Sequence, residues 1–207
     1  ILEYLEDDGT PVEPIYYAPI IPMILVNGTK GIGTGFSTDI ISHDPFDIIE
    51  YLKNKLNNTD NEILIKPYFE GFTGEIIKIN DKKYLVKGKY KIEKNQVHIT
   101  ELPIGYWTQD FIEYLASLLD KKNQSEKIIV DFNDTSNDTM VDIKVTFQAG
   151  KINNLVNEKI DENINGLEKF LKLNNYQTLT NMHLFDYNDK LKKYENVKDI
   201  VDDYYIK

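Results

Sequence analysis

Apolar positions change their spacing several times along this chain, and each change predicts an element. Residues 1–18 hold no sustained period; Pro11, Pro14 and Pro19 and the turn Asp7-Asp8-Gly9-Thr10 predict extended, irregular backbone. Ile20 to Val26 is a nearly continuous apolar run, the pattern of a buried strand, and a glycine-rich loop follows it. Asp44-Pro45-Phe46-Asp47 carries helix-start signals: an N-cap carboxylate, proline at the first helical position and a second acid in the first turn. Ile48, Ile49, Leu52 and Leu56 then fall on one face at helical spacing, and Asn57-Asn58-Thr59-Asp60-Asn61 ends the helix.

The next stretch reads as β structure. Glu75–Ile79, Lys83–Val86, Lys89–Ile92 and Gln96–Ile99 are short alternating or β-branched runs separated by turn residues. Trp107 to Leu119 returns to helical spacing, with Phe111, Tyr114, Leu115, Leu118 and Leu119 on its apolar side. Strands are predicted at Lys127–Phe132 and Val141–Phe147, and a mostly helical segment from Ile152 to Leu173, punctuated at Gly166. Met182–Phe185 reads as one more strand and Val197 to Lys207 as a helix that is cut off. The fold class expected is mixed α/β (α+β): short, mostly antiparallel strands clustered in the middle and flanked by helices.

Composition narrows the classes. A chain of 207 residues suffices for one large or two small domains, and its apolar content is enough for a proper core. The longest apolar run is interrupted by Pro22 and is too short to span a bilayer. The acidic first residues lack a basic leader region, and no methionine starts the chain, which suggests a fragment of a longer, non-secreted protein. With no cysteine, disulfides and thiolate metal sites are excluded, and His43, His98 and His183 have no ligand spacing. All 24 basic residues are lysine, and the net charge is −10, which argues against a free-standing DNA-binding protein because phosphate contacts supply most non-specific affinity.

The glycine loop is the strongest local signal. Asn27-Gly-Thr-Lys-Gly-Ile-Gly-Thr-Gly-Phe-Ser-Thr-Asp39 places four glycines around one bulky apolar residue, Ile32. Glycine allows close approach of the backbone to a ligand, and an apolar side chain held outward can wedge between stacked bases of a bent duplex. A tight connection between a buried strand and a helix is the plainer alternative. Nucleotide motifs fail here: the third glycine of a dinucleotide fingerprint is missing, and Thr34 stands where a phosphate-binding loop needs lysine.

Other segments carry a resemblance. Val12 to Gly28, including Val12-Glu-Pro-Ile-Tyr16, Glu70-Gly-Phe-Thr-Gly74, Glu101-Leu-Pro103 with Trp107-Thr108, Thr180-Asn-Met-His-Leu-Phe-Asp186 and Leu191-Lys-Lys-Tyr194 occur in the order and at the spacing found in type IIA DNA topoisomerases. The chain resembles that family (eukaryotic and viral-type topoisomerase II) over essentially its whole length. The resemblance implies the tower, or shoulder, segment of the breakage-reunion core. Residues 1–45 would be an entry segment with the wedge loop, 46–195 the α/β tower domain, and 196–207 the start of a coiled-coil arm.

By the same resemblance Ile32 is a wedge in double-stranded DNA, with Asn27, Lys30, Gly31, Gly33 and Thr34 beside it at groove edges or phosphates. No catalytic residue is expected: the family's nucleophilic tyrosine directly follows an arginine, and this chain has no arginine, so its 14 tyrosines read as core and interface aromatics. Asp7-Asp8 and Asp202-Asp203 read as solvated surface. ATP and Mg2+ are implied for the full-length enzyme and not for this segment, a homodimer for the whole protein and a monomer for the piece, in the nucleus or, for a virus, the host cytoplasm. Lys87, Lys89, Lys91 and Lys94 fall in a predicted hairpin, able to line flanking DNA or to protect an edge strand by charge. Ile104-Gly105-Tyr106 and Glu70 depart from the family, which usually has basic residues there. A free-standing DNA-bending module and a purely structural interaction domain remain as alternatives.

Overall fold

The Asp44 side chain accepts from the Phe46 amide at 2.8 Å, with Pro45 as the first helical residue, so the expected N-cap starts helix α2, Pro45–Leu56. A computed structural model describes residues 3–15, 17–59, 61–120, 127–186 and 188–206. The parts of the expectations above that fall on Ile1, Leu2, Tyr16, Asp60 and Lys207 lie outside these residues. Packing divides the chain into two units, residues 1–69 with 179–207, and residues 70–178, whereas the boundaries expected from the sequence fall at 45/46 and 195/196.

The first unit opens with a hairpin. Strands β1 (Tyr4–Asp7) and β2 (Thr10–Pro14) pair antiparallel across Asp8-Gly9, both at positive φ, the backbone that a tight two-residue hairpin requires. Where a buried strand was expected at Ile20–Val26, the chain forms a short helix, α1 (Met23–Asn27). Ile20 is 95% exposed and only Leu25 of the helix is fully buried. The correction has a physical cause: Pro22 precedes the first helical residue and its carbonyl accepts from the Leu25 amide at 2.9 Å, so the run turns instead of extending.

Strands β3 (Thr29–Ile32) and β4 (Ser37–Ile40) form a second hairpin. Then follow α2, β12 (Met182–Phe185) paired with β13 (Leu191–Tyr194), and α6 (Val197–Ile206). Leu25, Ile40, Ile48, Met182, Ile200 and Val201 are buried here.

The second unit holds two sheets. Strands β7 (Lys89–Glu93), β8 (Gln96–Glu101), β10 (Ile143–Phe147) and β9 (Ile129–Asp134) lie in the order β7-β8-β10-β9. Strands β11 (Asn174–Thr178), β6 (Lys83–Lys87) and β5 (Glu75–Asn80) lie in the order β11-β6-β5. Every strand pair in both sheets is antiparallel, as expected. On β10, Ile143, Val145 and Phe147 are buried while Lys144 is exposed, the alternation of a sheet with one wet face. They meet Val97 and Ile99 of β8 and Phe111, Leu115 and Leu118 of helix α3 (Thr108–Leu119) in one core.

The long helical segment expected over Ile152–Leu173 is two short helices, α4 (Lys151–Asn157) and α5 (Gly166–Phe170). Between them the chain turns back through a bridge pairing Lys159 with Asn165. A side chain at Gly166 would meet the Leu155 carbonyl oxygen at 2.7 Å, so glycine permits the two helices to close on each other.

Candidate nucleic-acid interface

The glycine loop is the tip of the β3–β4 hairpin. Gly28 ends α1 at φ 68°, ψ 172°, a backbone open to glycine alone, and turns the chain into β3. Thr29 pairs with Ile40, Lys30 with Asp39, Gly31 with Thr38 and Ile32 with Ser37. Four residues, Gly33-Thr-Gly-Phe36, cross the tip; the Gly33 amide donates to the Phe36 carbonyl at 2.8 Å, and Gly35 takes φ +86°.

Ile32 is 93% exposed on this finger. Burying such a side chain normally yields about 1.5–3 kcal/mol, so holding it in water forgoes a favourable term. The neighbouring glycines differ in cause. A Cβ on Gly33 would come within 2.9 Å of the Phe36 ring, which folds back over it. A Cβ on Gly31 would meet nothing within 4 Å, so the folded chain itself makes no steric demand for glycine there.

The structure brings Lys30, Gly31, Ile32, Gly33 and Thr34 together on the outer strand and tip, all exposed. Asn27 stands apart at the C-terminus of α1, where its carbonyl accepts from the Ser42 hydroxyl at 3.0 Å. Lys30 is not a free cation: its Nζ lies 3.5 Å from Asp39 Oδ2 on the paired strand. Asp39 was invisible as a neighbour in the sequence, because only the register of the hairpin places it opposite Lys30.

The finger is braced on one side. The Asp39 amide donates to the Asn181 carbonyl at 2.8 Å, and the Asn181 side-chain amide donates to Ser37 Oγ at 2.8 Å. Asn181 Oδ1 also lies 2.9 Å from Nδ1 of His183. The Phe36 ring meets Phe185 of β12 edge to face, centroids 6.0 Å apart at 85°.

The lysine group splits. Lys87 closes β6 and its Nζ lies 2.7 Å from Glu168 Oε1, largely screened from water. Lys89 and Lys91 lie on β7, an edge strand, and Lys94 takes φ 55° in the turn after it. The edge-strand reading therefore describes Lys89 and Lys91, and Lys87 belongs to a different sheet.

The acids do not converge on a metal. Asp202 Oδ1 holds Lys55 at 2.5 Å and the Tyr51 hydroxyl at 2.8 Å; Asp203 Oδ2 holds Lys192 at 2.5 Å and the Tyr194 hydroxyl at 2.8 Å. Each carboxylate of this second pair is the hub of its own contacts, and both side chains stay partly exposed. Among the described residues no group of three or more histidine or acidic side chains is placed to hold a metal ion. Burial, then Asp202, pushes the Tyr51 phenol up to about 12, and burial first pushes Tyr106 to about 12.

A family model for DNA gyrase/topoisomerase IV, that of the A subunit, matches residues 1–207. The chain belongs to that family of type II DNA topoisomerases. It is 34% identical over 207 residues to DNA topoisomerase 2 of Drosophila melanogaster, covering 99% of this chain and 14% of that protein. DNA topoisomerase 2 of Acanthamoeba polyphaga mimivirus is 33% identical, over 94% of this chain and 19% of its own length. The solved DNA-binding, cleavage and re-ligation domain of Plasmodium falciparum topoisomerase II superposes with a TM-score of 0.85 at 37% identity, over 99% of this chain and 27% of that one. The family resemblance read from the motifs is thus established, and the chain spans only a small part of these relatives.

Proposed function

We propose that this chain is the tower segment of an ATP-dependent type IIA DNA topoisomerase, and that it supports and bends the DNA duplex that is cut. Ile32 enters a base step as a wedge, while Lys30 and Thr34 meet phosphates or groove edges and Gly31 leaves the room that the duplex backbone occupies. The single observation carrying this reading is Ile32, 93% exposed on a hairpin tip beside a glycine that faces open space.

Bending a site of about 20–30 bp costs on the order of 1–6 kcal/mol, and a wedge concentrates the distortion in one step. The segment itself supplies position and not chemistry; strand cleavage, ATP hydrolysis and Mg2+ binding belong to other parts of the protein. In this reading the whole enzyme is an intracellular homodimer, in the nucleus or the host cytoplasm, and the isolated chain is a monomer.

Energy transfer between the ends of a labelled duplex of roughly 30 bp, titrated with this chain at low and moderate salt, tests the reading. Salt-sensitive shortening that disappears in Ile32→Ala is expected. No shortening, or shortening that persists in the variant, overturns it.

A further inference from the structure

A wedge inserts efficiently only when its support is already ordered, because a loop that must be fixed at the moment of binding subtracts its ordering entropy from affinity. The β3–β4 hairpin has little of its own to fix it: two strands, a four-residue tip and three tip or strand glycines. An isolated two-stranded hairpin is at best marginally stable in water. Something outside the hairpin must hold it, and the contacts identify what does.

We infer that Asn181 is a positioning residue for the Ile32 wedge, with Phe185 as its apolar counterpart. Asn181 is fastened to β4 twice, through its carbonyl to the Asp39 amide and through its side-chain amide to Ser37 Oγ, each at 2.8 Å. Its own side-chain oxygen is held by His183 at 2.9 Å, so the carboxamide is oriented from both ends. Further out, Phe185 meets the ring of Phe36, and Phe36 lies over Gly33 at the tip.

All of these contacts fall on β4 and the tip, and none on β3. The strand carrying Gly31 and Ile32 is left open along its outer side while its partner is anchored. Such a one-sided brace stiffens the finger without covering the face that the duplex would take. Phe185 stays 60% exposed although it is a large apolar residue, a burial deficit consistent with a buttress kept at the surface by where the finger stands.

This inference rests on the wedge reading, and the test separates the two. Bending of the labelled duplex is compared among the unaltered chain, Ile32→Ala, Asn181→Ala, Ser37→Ala, Phe185→Ala and the double variant Ser37→Ala/Asn181→Ala, with melting temperature and the salt slope of binding recorded for each. Loss of one net hydrogen bond predicts that about two- to tenfold more protein is needed for half-maximal bending in Asn181→Ala. Ser37→Ala should show a similar shift that does not add in the double variant, while the salt slope, which counts phosphate contacts, stays constant. In hydrogen exchange, the Gly33 and Asp39 amides should lose protection in Asn181→Ala.

If Ile32→Ala abolishes bending while Asn181→Ala, Ser37→Ala and Phe185→Ala bend as the unaltered chain does, the positioning role is refuted and the wedge stands. If Ile32→Ala bends normally, the wedge reading itself fails. Should Asn181→Ala not fold, Ser37→Ala breaks the same side-chain bond and carries the test.

Discussion

Lys87 Nζ lies 2.7 Å from Glu168 Oε1, and the pair joins the end of strand β6 to the first turn of helix α5. The same ammonium donates to the Asn163 carbonyl at 2.9 Å, and Tyr90 donates to Glu168 Oε1 at 3.3 Å. Glu168 also completes the capping box of α5, its Oε2 accepting from the Asn165 amide at 3.1 Å while its own amide donates to Asn165 Oδ1 at 2.9 Å. A single carboxylate thus satisfies a helix end, a strand end and a phenol in a site largely closed to water.

Removing one partner from such a site leaves an uncompensated charge, so Glu168→Gln and Lys87→Met should each cost about 3–5 kcal/mol of unfolding free energy. The double variant Lys87→Met/Glu168→Gln should recover much of that loss. Chemical denaturation of the four proteins, read as a double-mutant cycle, checks the coupling.

The two residues of the wedge should separate folding from function. Ile32→Ala lies on an exposed tip and is expected to shift stability by less than about 0.5 kcal/mol. Gly31→Ala meets open space, so it should leave the chain as stable as before, or more stable by about 0.4–1 kcal/mol through a less flexible unfolded state. On the proposed wedge reading, the added methyl group should nevertheless weaken the response in the bending assay, since it fills the room that reading assigns to the duplex.

Asp39 should restrain DNA binding. Its carboxylate lies 3.5 Å from Lys30 and competes with any phosphate for that ammonium. Asp39→Asn is expected to tighten DNA binding and to steepen the slope of log K against log salt by about 0.9, one additional phosphate neutralised. Binding isotherms at several salt concentrations would reveal an unchanged slope if Lys30 makes no phosphate contact.

His43 gives the fold an acid-sensitive point. The side chain is fully buried, and among the described residues neither ring nitrogen has a hydrogen-bond partner of good geometry. Burial lowers its pKa from 6.5 to about 4, partly offset by the nearby main-chain carbonyls of Ile41 and Leu25. The unfolded chain therefore takes up a proton below pH 6.5 that the folded chain refuses until about pH 4, and stability falls as pH drops through that window. The contribution lost at pH 5 is about 2 kcal/mol, at about 1.36 kcal/mol per unit. Denaturation midpoints at pH 7.5 and 5 should show this loss in the unaltered chain and a smaller one in His43→Leu.

Much of the fold was legible because it is local. The Asp44-Pro45 start of α2, the Asp8-Gly9 turn, the alternation of β10 and the apolar face of α3 are written in residues a few positions apart, where capping, φ preference and side-chain period act directly. The glycine loop was legible for the same reason: four glycines around one isoleucine occupy a single short stretch. Where local pattern was ambiguous it misled. The apolar run Ile20–Val26 suits a strand or a helix equally, and the turn at Pro22 decided for α1. The segment from Ile152 to Leu173 reads as mostly helical, but the close approach at Gly166 and the Lys159–Asn165 bridge break it into two helices.

Sequence alone determined most of the kinds of element, the family to which their motifs belong and the isoleucine singled out among the loop glycines, because each of these depends on neighbours along the chain. Only the tertiary structure decided which side chains face one another: Asp39 across from Lys30, Asn181 behind Ser37, Glu168 under Lys87. Those pairings depend on strand register and on segments far apart in sequence, and a shift of one residue in any strand would send each side chain to the opposite face.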